Sequence, residues 1–147
     1  MAAIARRSVL AIGASGVFVG LPATARADTP AESEIAAILK GRTAKSGGVK
    51  IDAPSIAENG MVVPVSVEID SPMTEADFVA AVHIVADGNP RPRVASLTFT
   101  PECGKAAASI RVRLAQTQNI VAIAELSNGE LRMEKAEVKV TIGGCGG

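Results

Sequence analysis

Two cysteines and a single histidine are the soft nucleophiles and nitrogen ligands of this 147-residue chain, and the more unusual cysteine closes it. Cys145 stands between two glycine pairs, in Gly143-Gly144-Cys145-Gly146-Gly147. Glycine has no Cβ and loses more conformational entropy on ordering than any other residue, so this composition predicts a segment built to move. Fully extended, five residues reach about 15–18 Å. An ordinary thiol has a pKa near 8.5 and is only slightly ionised at neutral pH. No Lys, Arg or His lies between Val140 and the end to change that locally. Cys145 is therefore unsuited to be a self-activated nucleophile. It suits a handle that another protein draws into its own site, with Gly143, Gly144, Gly146 and Gly147 letting the arm thread a narrow channel.

The remaining candidates are weaker. Cys103 sits in Pro101-Glu102-Cys103-Gly104-Lys105, a turn between two expected strands. In an exported protein a Cys103–Cys145 disulfide is a competing arrangement, and it would make the chain a stapled interaction domain with no carrier role. His83, between Val82 and Ile84 on an apolar stretch, reads as a hydrogen-bonded structural histidine. Two cysteines 42 positions apart and one histidine do not make a zinc or copper pattern, so no metal is expected. Arg111 and Arg113 share a strand face with Ser109 and could receive an anion or a partner's carboxylates; a solvated face is the plainer reading.

A domain of this size that ends in a β-rich segment followed by Gly-Gly-Cys-Gly-Gly resembles the SoxY sulfur-carrier family of bacterial thiosulfate oxidation. Ile56-Ala57-Glu58-Asn59-Gly60, Asp70-Ser71-Pro72-Met73-Thr74 and Val140-Thr141-Ile142-Gly143-Gly144-Cys145 carry the resemblance, which runs over the whole mature chain. It implies an immunoglobulin-like sandwich and a non-catalytic role without a cofactor of its own, with Cys145 as the covalent carrier of thiosulfate-derived sulfur. It also implies a heterodimer with a SoxZ-like subunit. Transient visits would follow to a c-type haem enzyme, a metal-dependent hydrolase and a dehydrogenase of the Sox system.

Around these residues the chain divides clearly. Residues 1–27 have the form of an export signal: Arg6-Arg7, an apolar stretch from Val9 to Leu21, and Ala25-Arg26-Ala27 as a cleavage site. The twin arginine and the modest hydrophobicity, diluted by Gly13, Gly16 and Gly20, favour the Tat route, with Val9 where that pattern usually has Phe. The apolar stretch is shorter than the roughly 20 residues a membrane span requires. A soluble periplasmic product of 120 residues is expected, enough for one domain with its own core. Losing Arg6, Arg7 and Arg26 leaves twelve basic and fifteen acidic residues, a formal charge of −3 that argues against nucleic-acid binding. With no Trp or Tyr and two Phe, its core must be built from Val, Ile, Leu and Ala.

The mature chain opens with a short helix. Thr29-Pro30-Ala31-Glu32 has the form of a capping box with proline at the first helical position. Ala31, Ile35, Ile38 and Leu39 follow at helical spacing, and Gly41 is placed to stop it; a lid on the domain is preferred over a partner-binding helix. From Val49 the period becomes two. Strands are expected at Val49–Ile51, at 63–69 with Pro64 marking an edge or bulge, at 78–86, 94–99, 107–114 and 120–126, and from Leu131 to Ile142. The segment Phe78–Ala86 is apolar on both faces, fitting a central strand or one covered by a partner. Leu131 and Met133 have the opposite parity to Ala136, Val138, Val140 and Ile142, which suggests a bulge near Glu134-Lys135. The expectation is all-β: an immunoglobulin-like antiparallel sandwich over 28–142 with a short N-terminal helix, then a mobile arm over 143–147.

Overall fold

The structure is a computed structural model and describes residues 28–144. The expected export signal, residues 1–27, and the residues Cys145, Gly146 and Gly147 lie outside the described residues. Among the described residues one α-helix, α1 (Pro30–Leu39), precedes nine strands. These are β1 (Ala44–Lys45), β2 (Val49–Asp52), β3 (Ile56–Asn59), β4 (Val63–Ile69), β5 (Val79–Ala86), β6 (Arg93–Thr98), β7 (Ala106–Val112), β8 (Gln118–Leu126) and β9 (Leu131–Ile142).

Two sheets form the sandwich. One has the order β1-β9-β8-β5-β6, with β3 also on β9; the other is β2-β4-β7. Most neighbours are antiparallel, as expected, but β1 and β3 both run parallel to β9 and divide its outer edge between them. Alternation decides the core between the sheets. Val63, Val65, Val67 and Ile69 of β4 meet Val82 and Ile84 of β5, Ile120 and Ala122 of β8 and Val138 of β9 in one cluster. The small β-branched side chains fill a thin layer, and Pro64 is tolerated because β2 reaches only as far as Ser66 on that side of β4.

The helix forms as its sequence dictates. The Thr29 hydroxyl accepts from the Glu32 amide at 3.2 Å, while Glu32 Oε2 accepts from the Thr29 amide at 2.8 Å. Lys40, at φ 50°, takes the left-handed position at the end, one residue before the expected Gly41. Ala31 and Ile38 then bury against Val85, Val121, Ile123 and Leu131 on the outer face of the larger sheet.

This second, smaller core removes the need for the bulge expected in β9. The β8–β9 register is unbroken from Gln118↔Val138 to Glu125↔Leu131. Leu131 and Met133 face the helix, whereas Val138 and Val140 face the sandwich, so the change of parity is a change of buried face. The same helix covers Val85 of β5, which accounts for the two-sided apolarity of that strand within the chain itself. Between Leu131 and Met133, Arg132 takes the opposite face and its Nη1 donates to the Asp70 carbonyl at 3.0 Å.

Candidate functional site

The site begins where β9 ends. Beyond Ile142 the backbone does not leave the domain. The Gly60 amide donates to the Ile142 carbonyl at 2.7 Å, the Leu114 amide to the Gly60 carbonyl at 2.8 Å, and the Gly144 amide to the Leu114 carbonyl at 2.9 Å. Gly144 is buried. Of the arm glycines, Gly143 and Gly144 are thus fastened to the body, and their lack of a side chain has a steric reason. A Cβ on Gly143 would collide with the Ala115 carbonyl oxygen, and one on Gly144 would come to 2.8 Å from the Gly60 carbonyl oxygen. Gly60 is constrained likewise, its Cβ position overlapping the Leu114 oxygen and lying 2.8 Å from the Gly144 nitrogen. Three backbones approach too closely here for anything but glycine.

The segment that receives Gly144 is itself held from behind. Asn89, buried in the loop after β5, donates through Nδ2 to the Arg113 carbonyl at 2.7 Å. Its Oδ1 accepts from the Ala115 amide at 3.0 Å and from Gln118 Nε2 at 2.9 Å. Gln118 Oε1 in turn accepts from the Gly88 amide at 2.8 Å. Every polar atom of this pair of buried amides has work to do, and together they fix residues 113–115 on both sides of Leu114. The sequence marks Asn89 and Gly60 as turn residues. The contacts of Asn89 lie 24 to 29 positions away and those of Gly60 lie 54 and 82 positions away, and neither set has a local signature.

Four large hydrophobic side chains stand exposed among the described residues: Ile56 at 61%, Met61 at 40%, Val62 at 60% and Ile142 at 67%. All belong to β3, to the turn that follows it, or to the end of β9 beside it. The exposed apolar surface is therefore concentrated near Gly144, the residue before Cys145. Arg111 and Arg113 project from the exposed face of β7 and its continuation, and neither forms a salt bridge among the described residues.

The other candidates lie apart from this site. Cys103 is an exposed, free thiol on a 3-10 turn (Pro101–Cys103), with Sγ 3.9 Å from the Thr100 hydroxyl. It precedes β7, whereas Gly144 is bound beyond the other end of that strand, about 20 Å away for six residue steps. A Cys103–Cys145 staple requires Cα atoms within about 7 Å and would mean pulling the arm root from its seat. His83 lies on the helix-side face of β5, with Nδ1 2.8 Å from Ser96 Oγ. Burial, reinforced by Arg93, holds its pKa below the usual imidazole value and favours the neutral ring. Among the described residues no group of three or more His, Cys, Asp or Glu could hold a metal ion.

The sandwich pins the end of its last strand through Gly144, the residue before Cys145. The family model "Sulfur oxidation protein SoxY" matches residues 35–145, ending on Cys145. The sulfur carrier protein SoxY from Chlorobium limicola f thiosulfatophilum is 35% identical, with a TM-score of 0.64, covering 76% of this chain and 96% of that one. The chain belongs to the SoxY family. The superoxide reductase (neelaredoxin) from Ignicoccus hospitalis is 22% identical, with a TM-score of 0.58 over 76% of this chain and 93% of its own. A putative superoxide reductase from Thermotoga maritima is 17% identical, with a TM-score of 0.56, over 66% of this chain and 93% of that one. These two likenesses concern the fold alone. Among curated proteins there is no match.

Proposed function

We propose that this chain is an exported, periplasmic sulfur carrier that holds thiosulfate-derived sulfur covalently on Cys145 and offers it to Sox enzymes, as one half of a heterodimer with a SoxZ-like subunit. The observation that carries the reading is the fastening of Gly144 on Leu114: the body is rigid up to the residue before the cysteine. The family match ending on Cys145 and the apolar surface around the arm root support it. The twin arginine and the cleavage pattern before Asp28 support export in the folded state.

The chemistry balances without any catalytic group in this chain. At a c-type haem enzyme the Cys145 thiolate and thiosulfate join through a new S–S bond, and two electrons leave to the haem centre, giving a cysteine S-thiosulfonate. At a metal-dependent hydrolase one water cleaves the terminal sulfonate, releasing sulfate and two protons and leaving a persulfide. A dehydrogenase then oxidises the remaining sulfane sulfur with three waters, passing six electrons to its own acceptor and releasing six protons. A further hydrolysis of the resulting cysteine S-sulfonate releases sulfate and returns the thiolate. Through these steps Cys145 carries and its partners catalyse.

The test is the intact mass of mature protein with its SoxZ-like subunit, incubated with thiosulfate and the oxidising enzyme. One S2O3 unit is expected on the wild type and on Cys103→Ser, removable by reductant, and none on Cys145→Ser. Loading that survives Cys145→Ser, or is lost in Cys103→Ser, would overturn the assignment. A stapled domain is disfavoured by the place of Cys103 at the end of β7 opposite to the one where Gly144 is bound.

A further inference from the structure

The chain contains two Asn-Gly pairs, Asn59-Gly60 and Asn128-Gly129. Both asparagines fold their side chains back in the same way. Asn59 Oδ1 accepts from the Met61 amide at 2.9 Å, and Asn128 Oδ1 accepts from the Glu130 amide at 2.8 Å. A turn of this kind brings the side-chain Cγ beside the amide nitrogen of the following residue. The amide that holds Oδ1 is also placed to stabilise the negative charge that would form there under attack. Glycine offers no Cβ to shield the approach. Each pair is thus arranged for one intramolecular reaction, closure of the asparagine onto its own backbone.

What differs is the state of the nucleophile. An amide nitrogen attacks only after losing its proton, and a proton held in a hydrogen bond is withheld from base. The Gly129 amide donates to the Leu126 carbonyl at 2.9 Å, inside the exposed hairpin turn between β8 and β9. The Gly60 amide donates instead to the Ile142 carbonyl at 2.7 Å, 82 positions away, while the Gly60 carbonyl accepts from Leu114 at 2.8 Å. Gly60 is buried although Asn59 is exposed. The catch on Asn59 is therefore the arm root itself, the same interlocked backbones that fasten Gly144.

We infer that Asn59 is a self-modification site whose succinimide chemistry is held off by the arm-root contact, so that the chain ages at Asn59 when that contact opens. On opening, the Gly60 nitrogen loses its proton to base and bonds to Asn59 Cγ. The side-chain nitrogen takes up a proton and leaves as ammonia. One water then opens the five-membered imide, at Cγ to give aspartate or at the backbone carbonyl to give isoaspartate, and no electrons are exchanged. Isoaspartate adds a methylene to the main chain just before Gly60, where a single added Cβ already strikes the Leu114 oxygen. The closed contact is then not recovered. None of this depends on what Cys145 carries.

The test follows both asparagines by peptide mass spectrometry in the mature protein with its SoxZ-like subunit at mildly alkaline pH, with Asn128 as the reference inside the same molecule. In denaturant the two are expected to convert at similar rates. In the folded protein Asn59 should lag Asn128 about fivefold or more, since an exposed turn opens more readily than a buried contact. Gly143→Ala and the bulkier Gly143→Val both press on the Ala115 oxygen. Each should raise the Asn59 rate about two- to tenfold, as expected for the loss of one amide hydrogen bond, and leave Asn128 unchanged. An Asn59 that keeps pace with Asn128 in the folded wild type overturns the inference. So does a rate at Asn59 that neither substitution moves, or an equal acceleration of both asparagines.

Discussion

Gly60 and Gly143 are both sites where an added methyl would strike a backbone oxygen, yet the outcomes should differ. At Gly143, close to the chain end, the cheapest relief is to break the Gly144–Leu114 bond. Gly143→Ala should therefore leave the melting temperature nearly unchanged while the Gly144 amide loses its protection from hydrogen exchange. Gly60 is fixed between β3 and β4, and Gly60→Ala should cost about 1–3 kcal/mol. Asn89→Ala strands the Ala115 amide and the Arg113 carbonyl and takes one of its two acceptors from Gln118 Nε2, so about 2–3 kcal/mol and roughly 10 °C in melting temperature should be lost. His83 gives a pH signature. Its folded pKa is lowered by burial and then by Arg93, so the unfolded chain binds the proton more readily. The contribution is fully present above the ordinary imidazole value near 6.5 and is lost as pH falls through the lower folded value. Denaturant titrations of His83→Asn should show a shallower fall in stability over that window. Of these residues, Cys145 could be singled out from composition alone, because a cysteine among four glycines is chemically conspicuous. Asn89 could not, since an asparagine in a Gly-Asn-Pro loop looks the same whether it caps a turn or braces a distant strand.

At the scale of elements, α1 and β9 show what a one-dimensional pattern carries and where it stops. The capping box, the proline and the apolar spacing of α1 are local, and the helix lies where they place it. In β9 the pattern was just as visible, but its meaning depends on what lies above each face. The shift from Leu131 and Met133 to Val138 and Val140 suggests a bulge only while a single buried face is assumed. The two parallel additions, β1 and β3, were equally hidden, being pairings across 87 and 83 positions. The helix supplies the second face, and Ile38 is its buried anchor, 5% exposed. Ile38→Ala should cost about 2–4 kcal/mol and expose Val85, Val121 and Ile123, readable as increased binding of a hydrophobic dye before global unfolding.

For the whole molecule, apolar exposure is unevenly distributed. The inner sandwich and the helix-side core are closed, whereas Ile56, Met61, Val62 and Ile142 leave their side chains in water around the arm root. Such surface on an otherwise polar domain is where contact with other proteins is expected. A Val62→Ser, Ile142→Ser double variant should keep the wild-type melting temperature while its affinity for a processing enzyme drops about tenfold or more, measured by titration calorimetry. The twelve-residue β9 has a further consequence. A partner drawing on the tail would pull this strand lengthwise, against rows of bonds to β8 on one side and to β1 and β3 on the other. Loaded in that direction the rows must shear together, and a single latch at Gly144 yields before any of them. The domain is thus geared to surrender a few residues of slack under tension and then to hold.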